Sequence, residues 1–273
     1  IFIVPGNHDP YIKNSYYNEY NWSKNVHIFK NQLEKVEMEN VNIYGFGFDD
    51  FICDRVNIEN INIEDTEKIN LLVIHGSLDA SDKLEMQYNP ITSNALRLKN
   101  FDYVALGHIH KTNYNENTKF VYPGSTISLG FDELGEHGMI VGDIEKSKLD
   151  LKFIKLDERV FEEKYIDVTN ISSQEELIEN ISNTEFKENN MYKIILTGKR
   201  NFEINICNIQ KLISFNNVLK IKNFTTSKYD LEEISKMNNL KGIFVRNMLA
   251  KIDEDNYSKE DIEKAIEIGL DVL

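Results

Sequence analysis

The residues best equipped for chemistry are histidines set beside glycines. His8 stands in Gly6-Asn7-His8-Asp9, His75 precedes Gly76, and His108 and His110 lie in Gly107-His108-Ile109-His110. Each group follows an apolar run: Ile1 to Val4, Leu71 to Ile74, and Tyr103 to Leu106. Imidazole nitrogens are ligands for borderline divalent metals, and Asn7 adds a neutral oxygen that such ions accept beside nitrogen. The His-x-His spacing lets two rings reach one metal centre or two adjacent ones. Taken singly, any of these histidines fits a buried, hydrogen-bonded role; as a set they fit a metal site better. His27 and His137 lie in no such pattern.

Such positions converge if the apolar runs are strands of one sheet, because ligands gather outside the carboxyl ends of the strands in an open α/β sheet. The neighbouring glycines allow backbone to approach closely. The unbroken run Ile1–Val4 predicts a strand buried on both faces. Val41 to Tyr44 before Gly45 predicts another, and the spacings between runs leave room for helices, so the fold class is α/β. Turn signals at Pro123-Gly124 and Gly135 precede two alternating strands, Gly138 to Ile144 and Leu149 to Ile154. Residues 1–156 therefore form one domain.

From about Val160 the pattern changes. Strands are expected at Tyr165 to Val168, Met191 to Thr197 and Val218 to Phe224. A capping box at Ser172 and Glu175 opens a helix to about Ile181, and a second helix is expected over Ile204 to Ile213. This makes a small α/β domain at 160–226. Residues 230–273 read as helical, with Leu231, Ile234, Phe244, Val245, Met248 and Leu249 in one apolar region. Ser258 begins a last helix carrying Ile262, Ile266, Leu270 and Leu273 on one stripe.

Among 273 residues there are 31 Lys+Arg and 45 Asp+Glu, a formal net charge of −14. Residues 1–150 carry −10 of it and residues 151–273 carry −4. That balance argues against non-specific nucleic-acid binding through overall charge. The two cysteines, Cys53 and Cys207, cannot build a disulfide framework, so a reducing cytoplasm is the expected location. No apolar run is long enough to span a membrane, and no membrane association is expected.

The order Gly6-Asn7-His8-Asp9, His75-Gly76, Gly107-His108-Ile109-His110 resembles the last three motifs of the calcineurin-like metallophosphoesterases. Val121-Tyr122-Pro123-Gly124-Ser125, followed by Gly130-Phe131-Asp132-Glu133 and Gly135, is similar to the SbcD-type DNA repair exonucleases, in their YhaO-like branch. The resemblance covers roughly residues 1–155. The family's earlier motifs, Asp-x-His and Gly-Asp-x-x-Asp, have no counterpart before Gly6, so the sequence is expected to lack the N-terminal part of the layered metallophosphoesterase sheet domain, with the small α/β domain as its cap. The resemblance implies two-metal hydrolysis of DNA phosphodiesters. Asn7, His75 and His108 would bind one ion and His110 the other. His8 would protonate the leaving oxygen, and Asp9 would accept from the far nitrogen of His8 and orient it. The implied metals are two divalent ions, typically manganese, with iron, zinc and magnesium left open. The implied partners are DNA and a large SbcC-type ATPase docked on the C-terminal helices, with a homodimer groove as a further source of DNA affinity.

Two other readings compete: a phosphoesterase acting on small molecules or proteins, and a non-catalytic scaffold. Gly45-Phe46-Gly47 has no helix start after it, and Gly198-Lys199-Arg200 lacks the upstream glycine of a phosphate loop, so both read as structural turns.

Overall fold

Successive apolar runs do become strands in the computed structural model, which describes residues 1–54, 56, 58–81, 87–116, 118–146, 148–253 and 258–273. The chain divides into two units, Ile1–Val160 and Phe161–Leu273. The first runs β1 (Phe2–Ile3), α1 (Tyr16–Glu19), β2 (His27–Ile28), β3 (Glu34–Glu37), β4 (Val41–Phe46), β5 (Ile69–His75), α2 (Ser93–Leu98), β6 (Tyr103–Gly107), β7 (Phe120–Val121), β8 (Gly138–Glu145) and β9 (Lys148–Lys155). The fold is mixed α/β, in keeping with the expected class.

The central sheet has the order β3-β4-β5-β6-β7. Only β3 is antiparallel to its neighbour; β4 to β7 run parallel. Parallel register pairs His75 with Gly107, so β5 and β6 end side by side and bring their following residues to one edge. Alternate residues of the two strands face a shared core. Leu72, Ile74, Val104 and Leu106 are buried there with Tyr44, Phe46, Phe48, Leu96 and Phe101.

β1 corrects one expectation. The strand is two residues long and, among the described residues, pairs with β2, Phe2 opposite His27 and Ile3 opposite Ile28. Phe2, Ile3 and Val4 are half-buried rather than enclosed. An unbroken apolar run is compatible with two covered faces but does not require them, and here a single neighbouring strand is paired along it.

The second unit comprises β10 (Phe161–Asp167), α3 (Gln174–Ser182), β11 (Met191–Thr197), β12 (Lys199–Arg200), α4 (Ile206–Leu212), β13 (Val218–Asn223), β14 (Thr226–Ser227), α5 (Leu231–Lys236), α6 (Leu240–Leu249) and α7 (Lys259–Val272). β10, β11 and β13 form a parallel sheet whose core includes Ile166, Ile194, Leu196, Leu177, Ile181 and Ile209. The N-cap of α3 is Ser173, one residue later than expected: its hydroxyl accepts from the Glu176 N–H at 3.2 Å, while the Glu176 carboxylate accepts from the Ser172 N–H at 2.8 Å. Ser258 caps α7 as expected.

The apolar stripe of α7 is largely covered by residues of α5 and α6. Ile262, Ile266 and Leu270 are buried with Val245 of α6, and Leu231, Ile234, Phe244, Met248 and Leu249 pack against them. Leu273 alone of the four stripe residues is exposed. The helices satisfy one another, because each carries an apolar face and a short connection lets them meet.

Leu72 is fully buried, whereas Leu98 lies largely exposed on α2. Leu72→Ala is expected to destabilise the fold by ~2–5 kcal/mol through the lost side chain and the cavity it leaves. Leu98→Ala should stay within ~0.5 kcal/mol of wild type. Urea unfolding midpoints check this, and equal shifts for the two variants would contradict the assigned core.

Candidate metal centre

Asn7, His75 and His108 meet at the sheet edge that β5 and β6 define. His75 ends β5, and His108 directly follows β6. Asn7, in the turn after β1, is buried, with 7% of its surface exposed. The Asn7 Oδ1 lies 2.8 Å from His75 Nε2 and 3.3 Å from His108 Nδ1. The two imidazoles are 5.3 Å apart between ring centroids. One oxygen and two ring nitrogens from three separate chain segments thus point at a common place.

The His75 ring is held by tight packing. A Cβ on Gly6 would fall 2.4 Å from His75 Cε1, and one on Gly107 would fall 3.1 Å from its Nδ1, so the ring lies where only glycine leaves room. Phe48 meets it edge-on at 5.2 Å. Behind it, Asn89 Nδ2 donates to the His75 carbonyl at 2.8 Å, and the Tyr122 hydroxyl donates to the Gly76 carbonyl at 2.6 Å. Burial, and after it the neighbouring His108, push the His75 pKa down to about 4. The imidazole is neutral at physiological pH, the form that can ligate a metal.

His108 carries backbone strain. Its φ is +118°, a region that non-glycine residues seldom occupy and that costs ~1–3 kcal/mol. Tyr88 sits against its ring at 5.0 Å. Strain of this kind persists where the surroundings fix a side chain for a purpose, and here the constrained residue is one of the three that converge.

Two of the expected site residues take partners that the sequence alone did not name. His110 is on the same loop, but its Nδ1 is engaged by the Glu133 carboxylate rather than by the other three residues. That hydrogen bond holds the Glu133 carboxyl below the usual range. Asp9 turns its carboxylate to two other groups. Its Oδ1 accepts from the Gly6 N–H at 2.9 Å and its Oδ2 from the Tyr17 hydroxyl at 2.5 Å, so it closes the turn on itself and reaches α1. His8 is exposed to solvent beside Asn7.

Glu133, Tyr17 and Tyr122 are the contributors that sequence reasoning did not assign. Glu133 lies in the Gly-Phe-Asp-Glu segment noted above, and its place in that segment was the one available signal. Tyr17 and Tyr122 act only through tertiary contacts.

The donor set fits part of a divalent metal's shell. It supplies two imidazoles and one amide oxygen, with no carboxylate among them, which suits a borderline ion that completes its charge balance elsewhere. Among the described residues no three His, Cys, Asp or Glu side chains close into a complete metal-binding group.

Over 192 residues the chain is 24% identical to the "Uncharacterized metallophosphoesterase YhaO" of Bacillus subtilis (strain 168), a match that covers 67% of this chain and 46% of that protein. The chain therefore spans about half the length of that relative. No family model matches it. The similarity is distant, and it is to a protein named as a metallophosphoesterase; the mixed α/β fold is consistent with that fold class. Among the described residues no helix is long and apolar enough to cross a membrane.

The His75 shift has a measurable consequence. An unfolded chain titrates His75 near its ordinary 6.5, whereas the folded chain does so at about 4. Between those values the unfolded state binds the extra proton, so stability is fully present above the ordinary value and falls as pH drops towards the folded one. NMR titration of the His75 ring should give a midpoint well below that of an exposed histidine. His75→Gln should flatten the loss of stability across this window; a midpoint near the ordinary value would contradict the buried, neutral ring.

Proposed function

We propose that this chain supplies the strand-end half of a two-metal site that hydrolyses DNA phosphodiesters, as in SbcD-type nucleases. The observation that carries the reading is the shared approach of Asn7 Oδ1, His75 Nε2 and His108 Nδ1. Divalent ions, manganese being the first choice, would activate water and neutralise phosphate charge when bound. Asn7, His75 and His108 would hold one ion, and His110, steadied by Glu133, would serve a second. Neutral His75 needs no proton removed to bind at neutral pH. His8, beside the site and open to solvent, would donate a ring proton to the leaving oxygen. Asp9 keeps the Gly6–Asp9 turn shut and so aims Asn7 inward.

The net charge of −14 works against DNA, whose phosphates repel acidic surfaces. The reading therefore includes a second source of positive charge, an SbcC-type ATPase or a second copy of the protein. The same site chemistry would serve a small-molecule or protein phosphoesterase.

The test is turnover of linear duplex DNA and of a phenyl phosphodiester by the full-length protein with manganese. Hydrolysis of both is expected, with His75→Ala losing more than ~100-fold, the upper range for disturbing only an outer-shell partner of a metal ligand. Turnover of the phenyl ester without DNA cleavage would favour the small-molecule reading. Loss of neither activity in His75→Ala would refute the assigned site, and absence of both in wild type would leave a scaffold.

A further inference from the structure

Helix α1 buries none of its four residues, yet it presents two aromatic rings on one side. Tyr16 and Tyr20, one turn apart, are 65% and 52% exposed. Their rings stack at 4.9 Å with 15° between planes, and Trp22 meets Tyr20 edge-on at 5.2 Å. Tyr17, on the same helix, stacks on Trp22 at 6.2 Å and donates its hydroxyl to Asp9. The aromatic cluster is thus tied by one hydrogen bond to the turn that carries Asn7 and His8. Clustered exposed aromatic rings of this kind can serve as a contact surface.

The local charge is opposite in sign to the rest of the chain. Residues 9–30 contain Lys13, Lys24 and Lys30 against Asp9 and Glu19, and Asp9 is engaged by Gly6 and Tyr17, in a protein of net charge −14. Lys13 and Lys24, which bracket the aromatic residues, are exposed. Flat π-faces flanked by cations, connected to a candidate phosphodiester site, match the chemistry of a single strand: bases to stack and phosphates to neutralise. A neutral sugar would use the rings but gain nothing from the lysines.

We propose that Tyr16 and Tyr20 form a stacking platform for unpaired nucleobases of a DNA strand, with Lys13 and Lys24 on its phosphates. The inference rests on the reading of the neighbouring site as a DNA phosphodiesterase, and it names the form of DNA taken: one with unpaired bases beside the bond to be cut.

Trp22 is the chain's one tryptophan, so its fluorescence reports this cluster directly. The experiment titrates the 273-residue chain with a thymidine oligonucleotide of about 12 nucleotides, within the span one stacking groove covers. A second titration uses an abasic deoxyribose-phosphate oligomer of equal length and charge. Thymidine should change Trp22 fluorescence and bind at least ~10-fold more tightly than the abasic oligomer, the low end of what base stacking contributes. The double change Tyr16→Ala, Tyr20→Ala should bring thymidine binding down to the abasic level, and Tyr16→Phe, Tyr20→Phe should restore it. Equal affinity for the two oligomers, no Trp22 response to thymidine, or undiminished thymidine binding by a folded alanine variant would each overturn the proposal. The comparison of oligomers on wild type stands even if the alanine variant does not fold. Turnover of the phenyl phosphodiester by the full-length protein with manganese reads the other claim separately. Base-dependent binding without turnover would sink the phosphodiesterase and keep the platform, and turnover without base-dependent binding would do the reverse.

Discussion

The first unit depends on one constraint: a neutral imidazole held where an unsubstituted backbone must pass. His75 lies against Gly6 and Gly107, where a Cβ would approach its ring to 2.4 and 3.1 Å, and Phe48 closes a further side. Burial strips water from the ring and depresses its pKa, which keeps the ring neutral, with a single N–H, at the pH of a cell. The parallel register of β5 and β6 then sets His108 beside it, and the turn after β1 brings Asn7 Oδ1 between the two. Removing the glycines would move the ring, and moving the ring would dissolve the convergence.

Around that point the structure is graded from rigid to open. Asn89 and Tyr122 fix the backbone just behind His75 and Gly76 through buried hydrogen bonds. His108 takes up the strain that the strand end imposes. Farther out, His8 and the aromatic residues of α1 face solvent, where a substrate can reach them. The second unit has its own cores, one under its parallel sheet and one between α6 and α7. Its second core takes in most of the apolar stripe of α7.

Much of this was legible in residue order. Glycine beside histidine after an apolar run located β5, β6 and the histidines that end them, because a parallel sheet delivers its strand ends to one side. Met191–Thr197 and the Ser258 cap were legible from local pattern alone. What escaped depended on direction or on distant partners. Asp9 adjoins His8 in sequence, yet a tight turn sends its carboxylate to Gly6 and Tyr17. Ser172 and Ser173 are equally good caps on paper, and the reach of Glu176 decides between them. Glu133 meets His110 across 23 residues, a pairing that no local spacing encodes. The stripe on α7 announced an apolar partner without saying that the partner was α6.

The central claim is that Asn7, His75 and His108 face one cation position. Manganese is paramagnetic and broadens nearby nuclei even when it binds weakly, so NMR of the chain with isotope-labelled histidine tests the claim directly. Added manganese should broaden the His75 and His108 ring signals first and leave His27 and His137 sharp, and Asn7→Ala should weaken that selectivity. Uniform broadening of all histidines, or His27 and His137 responding before His75 and His108, would contradict it.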